Sequence, residues 1–298
     1  MKKFSFGRFR AFVGRFTRGR QNKVAPAEFS IRNFKPGVNY ICPSFQIQEK
    51  SHAKSISLLS QNTGGRVNVD SRFLLPSELW GTVRALSHSA FARINQTVVS
   101  GAEWKILAKV PSGEVLKAET VLEDSRVLKG GIPVSKWKTV VKDSKGRIVA
   151  EQADNYVTLN DFQGYRYVER QTPLVRNFGR LLFEQSARGY KRFDWNPQKW
   201  EENIHNDEPA RRFGYEKGLP EFTTYFDLIF NAAYPALGSR LYEGTSIRLK
   251  RIKPIYEGDE IKIAGYVRGE KIDVFFLKGN DVRLEAELRN PSFFWDFF

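Results

Sequence analysis

The chain has 298 residues, of which 41% are hydrophobic and 14% aromatic, which suits one large or two medium globular domains and excludes a disordered chain. Its single cysteine, Cys42, excludes an internal disulfide framework and a cysteine-rich metal site and fits a reducing compartment, and no run of about 18 apolar residues offers a membrane span. The net charge is +15, from 48 basic and 33 acidic residues.

Eight of the basic residues and no acid lie in residues 1–27, so the rest of the chain carries only about +7, an ordinary balance for its size. Phe6, Phe9, Phe12, Val13 and Phe16 recur at three- to four-residue spacing in this stretch and would share one helical face. Three readings stay open for it: a flexible basic tail, an amphipathic segment in weak contact with anionic membrane through residues 1–24, or an organelle-targeting peptide. It lacks the apolar core of a secretory signal.

Residues 25–70 read as short strands, Tyr40–Cys42 and Phe45–Ile47, joined by loops, with His52 in a polar loop. A helix is expected from Leu79 through Leu86 and to end before Asn95, with Ser77 as its cap and His88 as a polar residue on its face. Alternation then predicts strands at Trp104–Ala108, Val115–Leu122, Ile132–Val141 and Ile148–Leu159, divided by the turns Pro111-Ser112-Gly113, Gly130-Gly131 and Asp143-Ser144-Lys145-Gly146. Residues 163–200 read as a connector, with a helix expected within Leu174–Tyr190.

The second half repeats this order. Gly218-Leu219-Pro220 opens an apolar helix from Phe222 to Leu237, and strands are expected at Ser246–Lys253, Glu260–Val267, Ile272–Leu277 and Val282–Leu288. Pro76 and Pro220 are 144 residues apart, and the turn glycines Gly113 and Gly258 are 145 apart. A repeat near that period argues for internal duplication. Each unit would be one helix wrapped by an antiparallel sheet, and two could join edge to edge. The organisation expected is a basic tail over 1–27, an N-terminal unit over 28–162, a connector over 163–200 and a C-terminal unit over 201–298.

The polar stretch before the second helix holds the candidate chemistry. His205, one of three histidines, lies within four residues of Glu201, Glu202 and Asp207. An imidazole titrates near neutral pH and suits proton transfer. Asp207 reads equally as a turn cap, and Glu201 and Glu202 as solvated. Histidines at 52, 88 and 205 lack metal-ligand spacing, and neither glycine pair, Gly64-Gly65 nor Gly130-Gly131, belongs to a phosphate-cradling motif. The strands' alternation is explained by a core, so no nucleic-acid partner is expected.

His205-Asn206-Asp207 with Ala210, Gly214-Tyr215 and Gly218-Leu219, followed by Lys253-Pro254-Ile255-Tyr256-Glu257-Gly258-Asp259, resembles the MaoC-like hydratase and dehydratase superfamily, most densely over residues 195–290. The resemblance implies an α+β double hotdog: two curved antiparallel sheets, each around a central helix. It implies a hydratase or dehydratase acting on a 2-enoyl or 3-hydroxyacyl thioester of coenzyme A or an acyl carrier protein, with no cofactor. The location expected is cytoplasmic, with organelle targeting through the basic segment as the alternative, and a homodimer is one assembly open to it. His205 would be the acid/base, with Glu202 and Asp207 as carboxylate candidates. Gly218 and Leu219 would give backbone N–H groups to the thioester oxygen, and Arg211 and Arg212 would meet the carrier's phosphates. The N-terminal unit would have lost its own site and would shape the acyl tunnel. The superfamily pattern places Asp five and Asn three residues before the histidine. Here Trp200 and Glu202 stand there, and Asp194-Trp195-Asn196-Pro197 lies upstream with Lys199 after it. That departure keeps open a non-catalytic acyl-binding protein or a thioesterase on the same fold.

Overall fold

The alternating stretches pair into one antiparallel sheet, which has 11 strands among the described residues. A computed structural model describes residues 34–90, 97–128, 131–159, 166–169, 179–192 and 204–291. The N-terminal unit contributes β1 (Asn39–Ile41), β2 (Phe45–Gln46), β3 (Thr97–Ile106), β4 (Val115–Leu128), β5 (Ile132–Lys142) and β6 (Ile148–Thr158). The C-terminal unit contributes β7 (Arg180–Arg188), β8 (Thr245–Ile252), β9 (Glu260–Arg268), β10 (Lys271–Lys278) and β11 (Asp281–Arg289).

The strand order is β1-β4-β5-β6-β3-β8-β11-β10-β9-β7, with β2 beside β4. Each half therefore has the same order, one short or early strand beside the second of four, and the halves meet through β3 and β8. At that seam Trp104 lies opposite Ile247. The duplication extends to single hydrogen bonds. Gly113 N–H donates to the Ile47 carbonyl at 2.7 Å, and Gly258 N–H to the Gly189 carbonyl at 2.9 Å. Both turn glycines have positive φ, 85° and 84°, where a side chain would be strained.

Four α-helices are described: α1 (Glu49–Asn62), α2 (Gly81–Ala90), α3 (Asp207–Arg212) and α4 (Thr223–Leu237). Helix α4 is buried nearly all round, Tyr225 through Ala233 without a break, as expected of a helix apolar on every face. It packs on β7 and β9, and its Phe226 stacks on Trp104 of the seam at 4.2 Å between ring centroids. Helix α2 lies on β4, β5 and β1. It approaches so closely that a Cβ on Gly81 would sit 2.8 Å from Val141 and 2.9 Å from Ala118.

Several expectations are corrected. The segment before α2 is a separate 3-10 turn, Pro76–Leu79. Gln152 bridges the break, accepting from Gly81 N–H at 3.0 Å and donating to the Leu79 carbonyl at 2.7 Å. Ser77 does not cap the helix; the Glu78 carboxylate accepts the Leu75 N–H at 2.9 Å. Residues 49–62 form a helix rather than a loop, and His52 is buried on it. Within Leu174–Tyr190 the described part is a strand, because β7 pairs with β9; the second unit's sheet thus takes in residues assigned to the connector. Residues 1–33, with the basic tail, lie outside the described residues. No described helix is long and apolar enough to cross a membrane.

Candidate functional site

His205 sits on the loop leading into α3, and that loop is laced to the segment before α4. Leu219 N–H donates to the Ile204 carbonyl at 3.0 Å. Gly218 is required there: a Cβ would fall 2.1 Å from the His205 carbonyl oxygen. Beneath the loop, Ile204, Ala210, Tyr215 and Leu219 pack on Leu159 and Tyr256, fixing it where the two units meet. Tyr167 stacks on Tyr215 at 4.8 Å, and the Tyr256 hydroxyl accepts the Glu216 N–H at 2.9 Å.

The imidazole is half-buried. Its Nδ1 bonds the Leu219 carbonyl. A carbonyl only accepts, so Nδ1 carries the proton and Nε2 carries the lone pair of the neutral ring. Burial holds the pKa of His205 below the ordinary histidine value, and the nearby Glu221 carboxylate works in the opposite direction. The neutral ring with its basic nitrogen at Nε2 is the form that can take a proton from water.

The other predicted residues fall differently. Asp207 is exposed and is a staple of the loop: Oδ1 accepts the Gly218 N–H at 2.9 Å, and Oδ2 lies 3.3 Å from Arg211. The amides proposed as an oxyanion hole are thus engaged inside the protein, Gly218 with Asp207 and Leu219 with Ile204. As the loop stands, neither points its proton at an open hole. Arg211 and Arg212 pair along α3 with Asp207 and Glu208 at 3.3 and 3.2 Å. Glu202, with residues 193–203, lies outside the described residues. His88 lies on α2. Among the described residues no cluster of metal-ligating side chains occurs.

Adjoining the loop is a buried ionic cluster that the sequence does not announce. Arg192 follows β7 and is 8% exposed. Its position is set upstream, where Gly189 is gripped by the turn before β9: Gly189 N–H donates to the Asp259 carbonyl at 2.9 Å, and a Cβ on Gly189 would meet the Tyr256 carbonyl at 2.2 Å. The Arg192 backbone N–H donates to Glu221 at 2.9 Å. Its guanidinium reaches Ser77, Ser55 at 2.9 Å and Glu78 at 3.2 Å. The other Glu78 oxygen meets His52 Nδ1 at 2.7 Å, and His52 Nε2 meets the Ser71 carbonyl at 2.8 Å. Both His52 nitrogens therefore donate when the ring is charged. Burial opposes that charge, but the Glu78 carboxylate outweighs it and raises the pKa. Burial likewise opposes the charge on Glu78, yet His52 and Arg192 hold its carboxyl below the ordinary value. Asp227, on α4, accepts from the Ser77 N–H at 2.9 Å and its hydroxyl at 2.5 Å. Burial pushes the Asp227 carboxyl up to about 7.

No family model matches the sequence, and no curated protein matches it. Solved structures do match in fold. A MaoC-like dehydratase from Phytophthora capsici superposes with a TM-score of 0.56 at 15% identity, covering 85% of this chain and 95% of that one. HtdX of Mycobacterium tuberculosis gives 0.58 at 10% identity, covering 85% and 100%. A further M. tuberculosis protein, described as a double hotdog fold, gives 0.57 at 10% identity, covering 90% and 98%. The chain is a double hotdog, similar in fold to MaoC-like dehydratases.

Proposed function

We propose that the protein is an acyl-thioester hydratase or dehydratase that interconverts a 2-enoyl thioester and its 3-hydroxyacyl thioester, with His205 as the acid/base. The observation that carries this reading is the bond from His205 Nδ1 to the Leu219 carbonyl. It fixes the tautomer, with the basic nitrogen at Nε2, on a loop laced to the segment before a buried hotdog helix. The fold match to MaoC-like dehydratases supports the substrate class.

In the hydration direction, His205 Nε2 takes a proton from water as the water oxygen bonds to C3. The C2–C3 π pair moves toward the thioester carbonyl, C2 then takes back the proton that His205 Nε2 had accepted, and the double bond is lost with the ring neutral again. A positioned general base of this kind contributes about 10²–10⁴-fold. Coenzyme A and an acyl carrier protein both fit as the carrier of the thioester. For Arg211 and Arg212 to meet the carrier's phosphates, their pairs with Asp207 and Glu208 must open. Those are exposed pairs, each contributing about 0.3–0.5 kcal/mol.

The test is a panel of trans-2-enoyl-CoA substrates, followed by loss of the conjugated double bond and by release of free thiol. Loss of absorbance without thiol is expected, and His205→Ala should remove it with the fold intact. Full turnover in that variant refutes the role of His205. Thiol release would assign the protein as a thioesterase, and tight binding with no reaction as an acyl-binding protein.

A further inference from the structure

The superfamily pattern leaves His205 without its upstream aspartate, yet a buried carboxylate follows two residues after the carbonyl that holds its ring. Pro220 links the Leu219 carbonyl that anchors His205 to Glu221, two residues on. Glu221 is 1% exposed and opens α4, its carbonyl accepting the Thr224 N–H at 3.0 Å. One carboxylate oxygen is fixed by the Arg192 N–H at 2.9 Å. Among the described residues, the charged groups that act on the imidazole are Glu221, which favours its protonation, and Lys191, which opposes it. Asp207, on the histidine's own loop, is turned to Gly218 and Arg211.

We propose that Glu221 is the positioning carboxylate of the His205 site, stabilising the imidazolium that forms when His205 takes a proton. This rests on the hydratase reading. It differs from the sequence expectation because the carboxylate comes from the segment before α4 rather than from Glu202 or Asp207 beside the histidine. Its anchor also has a consequence. The N–H that holds Glu221 belongs to the residue whose guanidinium holds Glu78 of the N-terminal unit. The unit without the candidate histidine therefore helps to place the carboxylate of the site.

The chain has three histidines, so their ring nitrogens can be resolved by 15N–1H NMR and titrated between about pH 4 and 9. Glu221→Gln keeps an oxygen for the Arg192 N–H and removes the charge. It should lower the His205 midpoint by about one unit, a tenfold loss of proton affinity. Lys191→Gln should raise that midpoint. Opposite signs distinguish a charge effect from a general disturbance, and an unmoved His52 signal reports that the fold is kept. In turnover, Glu221→Gln should lower kcat with KM little changed and move the acidic limb of the pH profile to lower pH. An unmoved His205 midpoint in Glu221→Gln overturns the proposal, even if turnover is lost. Should that variant not fold, Glu221→Asp withdraws the charge by one methylene and is read the same way. Opposite shifts in a protein that hydrates no enoyl thioester would leave the pairing standing and remove the hydratase reading instead.

Discussion

Glu78→Gln tests whether the ionic cluster between the two units is a net requirement for the fold. The Glu78 side chain is fully buried and faces three donors: Leu75 N–H at 2.9 Å, His52 Nδ1 at 2.7 Å and Arg192 at 3.2 Å. The amide preserves shape but leaves a buried guanidinium without its counter-charge. Removing one partner of a buried pair costs about 3–5 kcal/mol, because the remaining charge stays desolvated. For a chain of this size that corresponds to a fall in Tm of roughly 5–8 °C. The effect should depend on pH. Folding raises the pKa of His52, so the stability from the pair is fully present below the unfolded value, near 6.5, and is lost as pH rises through the folded value. Thermal unfolding followed by circular dichroism at several pH values from about 5.5 to 9 reads both. The wild-type protein should lose stability across that window, and Glu78→Gln should lose the His52 share of the slope and keep only the part that Asp227 contributes. A variant that melts within a degree or two of wild type, or retains the full wild-type slope, refutes this account of the cluster.

Asp227→Asn should act in the opposite sense. The Asp227 carboxyl is raised in the folded chain to about 7, so its favourable contribution is present below about pH 4 and lost as pH rises to 7. The asparagine variant should gain on wild type over that range, by up to about 4 kcal/mol above pH 7; denaturant midpoints that differ equally at pH 5 and pH 8 would contradict it. Gly218→Ala places a methyl 2.1 Å from the His205 carbonyl oxygen and should force the loop apart. Enoyl turnover should fall at least tenfold while the melting temperature moves only a few degrees, and normal turnover would show that the loop is not held as described.

Much of the fold is legible because most of its strands bury one face. In β3, Ala102, Trp104 and Ile106 are buried while Glu103 and Lys105 are exposed, so period-two alternation is written into the residues. Helix α1 is not legible in the sequence for the converse reason. Its buried positions are His52, Ser55 and Leu59, and two of the three are polar because the face opposes Arg192 and Glu78 rather than apolar side chains. Strand β7 is built mostly from Arg, Leu, Glu, Gln and Ala, residues with good helix propensity. Pairing with β9 overrides that preference. At the site, His205 stood out through its scarcity and neighbours. Glu221 did not, because an acidic residue after a proline at a helix start looks like a charge placed for the helix dipole. Only the pairing of the loops shows that it faces inward.

The seam between β3 and β8 gives the duplicated chain one last property. Trp104 belongs to the N-terminal unit, yet its indole stacks on Phe226 of the other unit's central helix and meets Phe222 edge-on, while its Nε1–H is held at home by Asp154 at 2.8 Å. The interiors of the two halves are thus packed into one another at the seam. Heat or denaturant should dissolve them in a single cooperative step, and neither half expressed alone should reach a native state. The half that carries His205 is thereby tied through Trp104 to the half that does not.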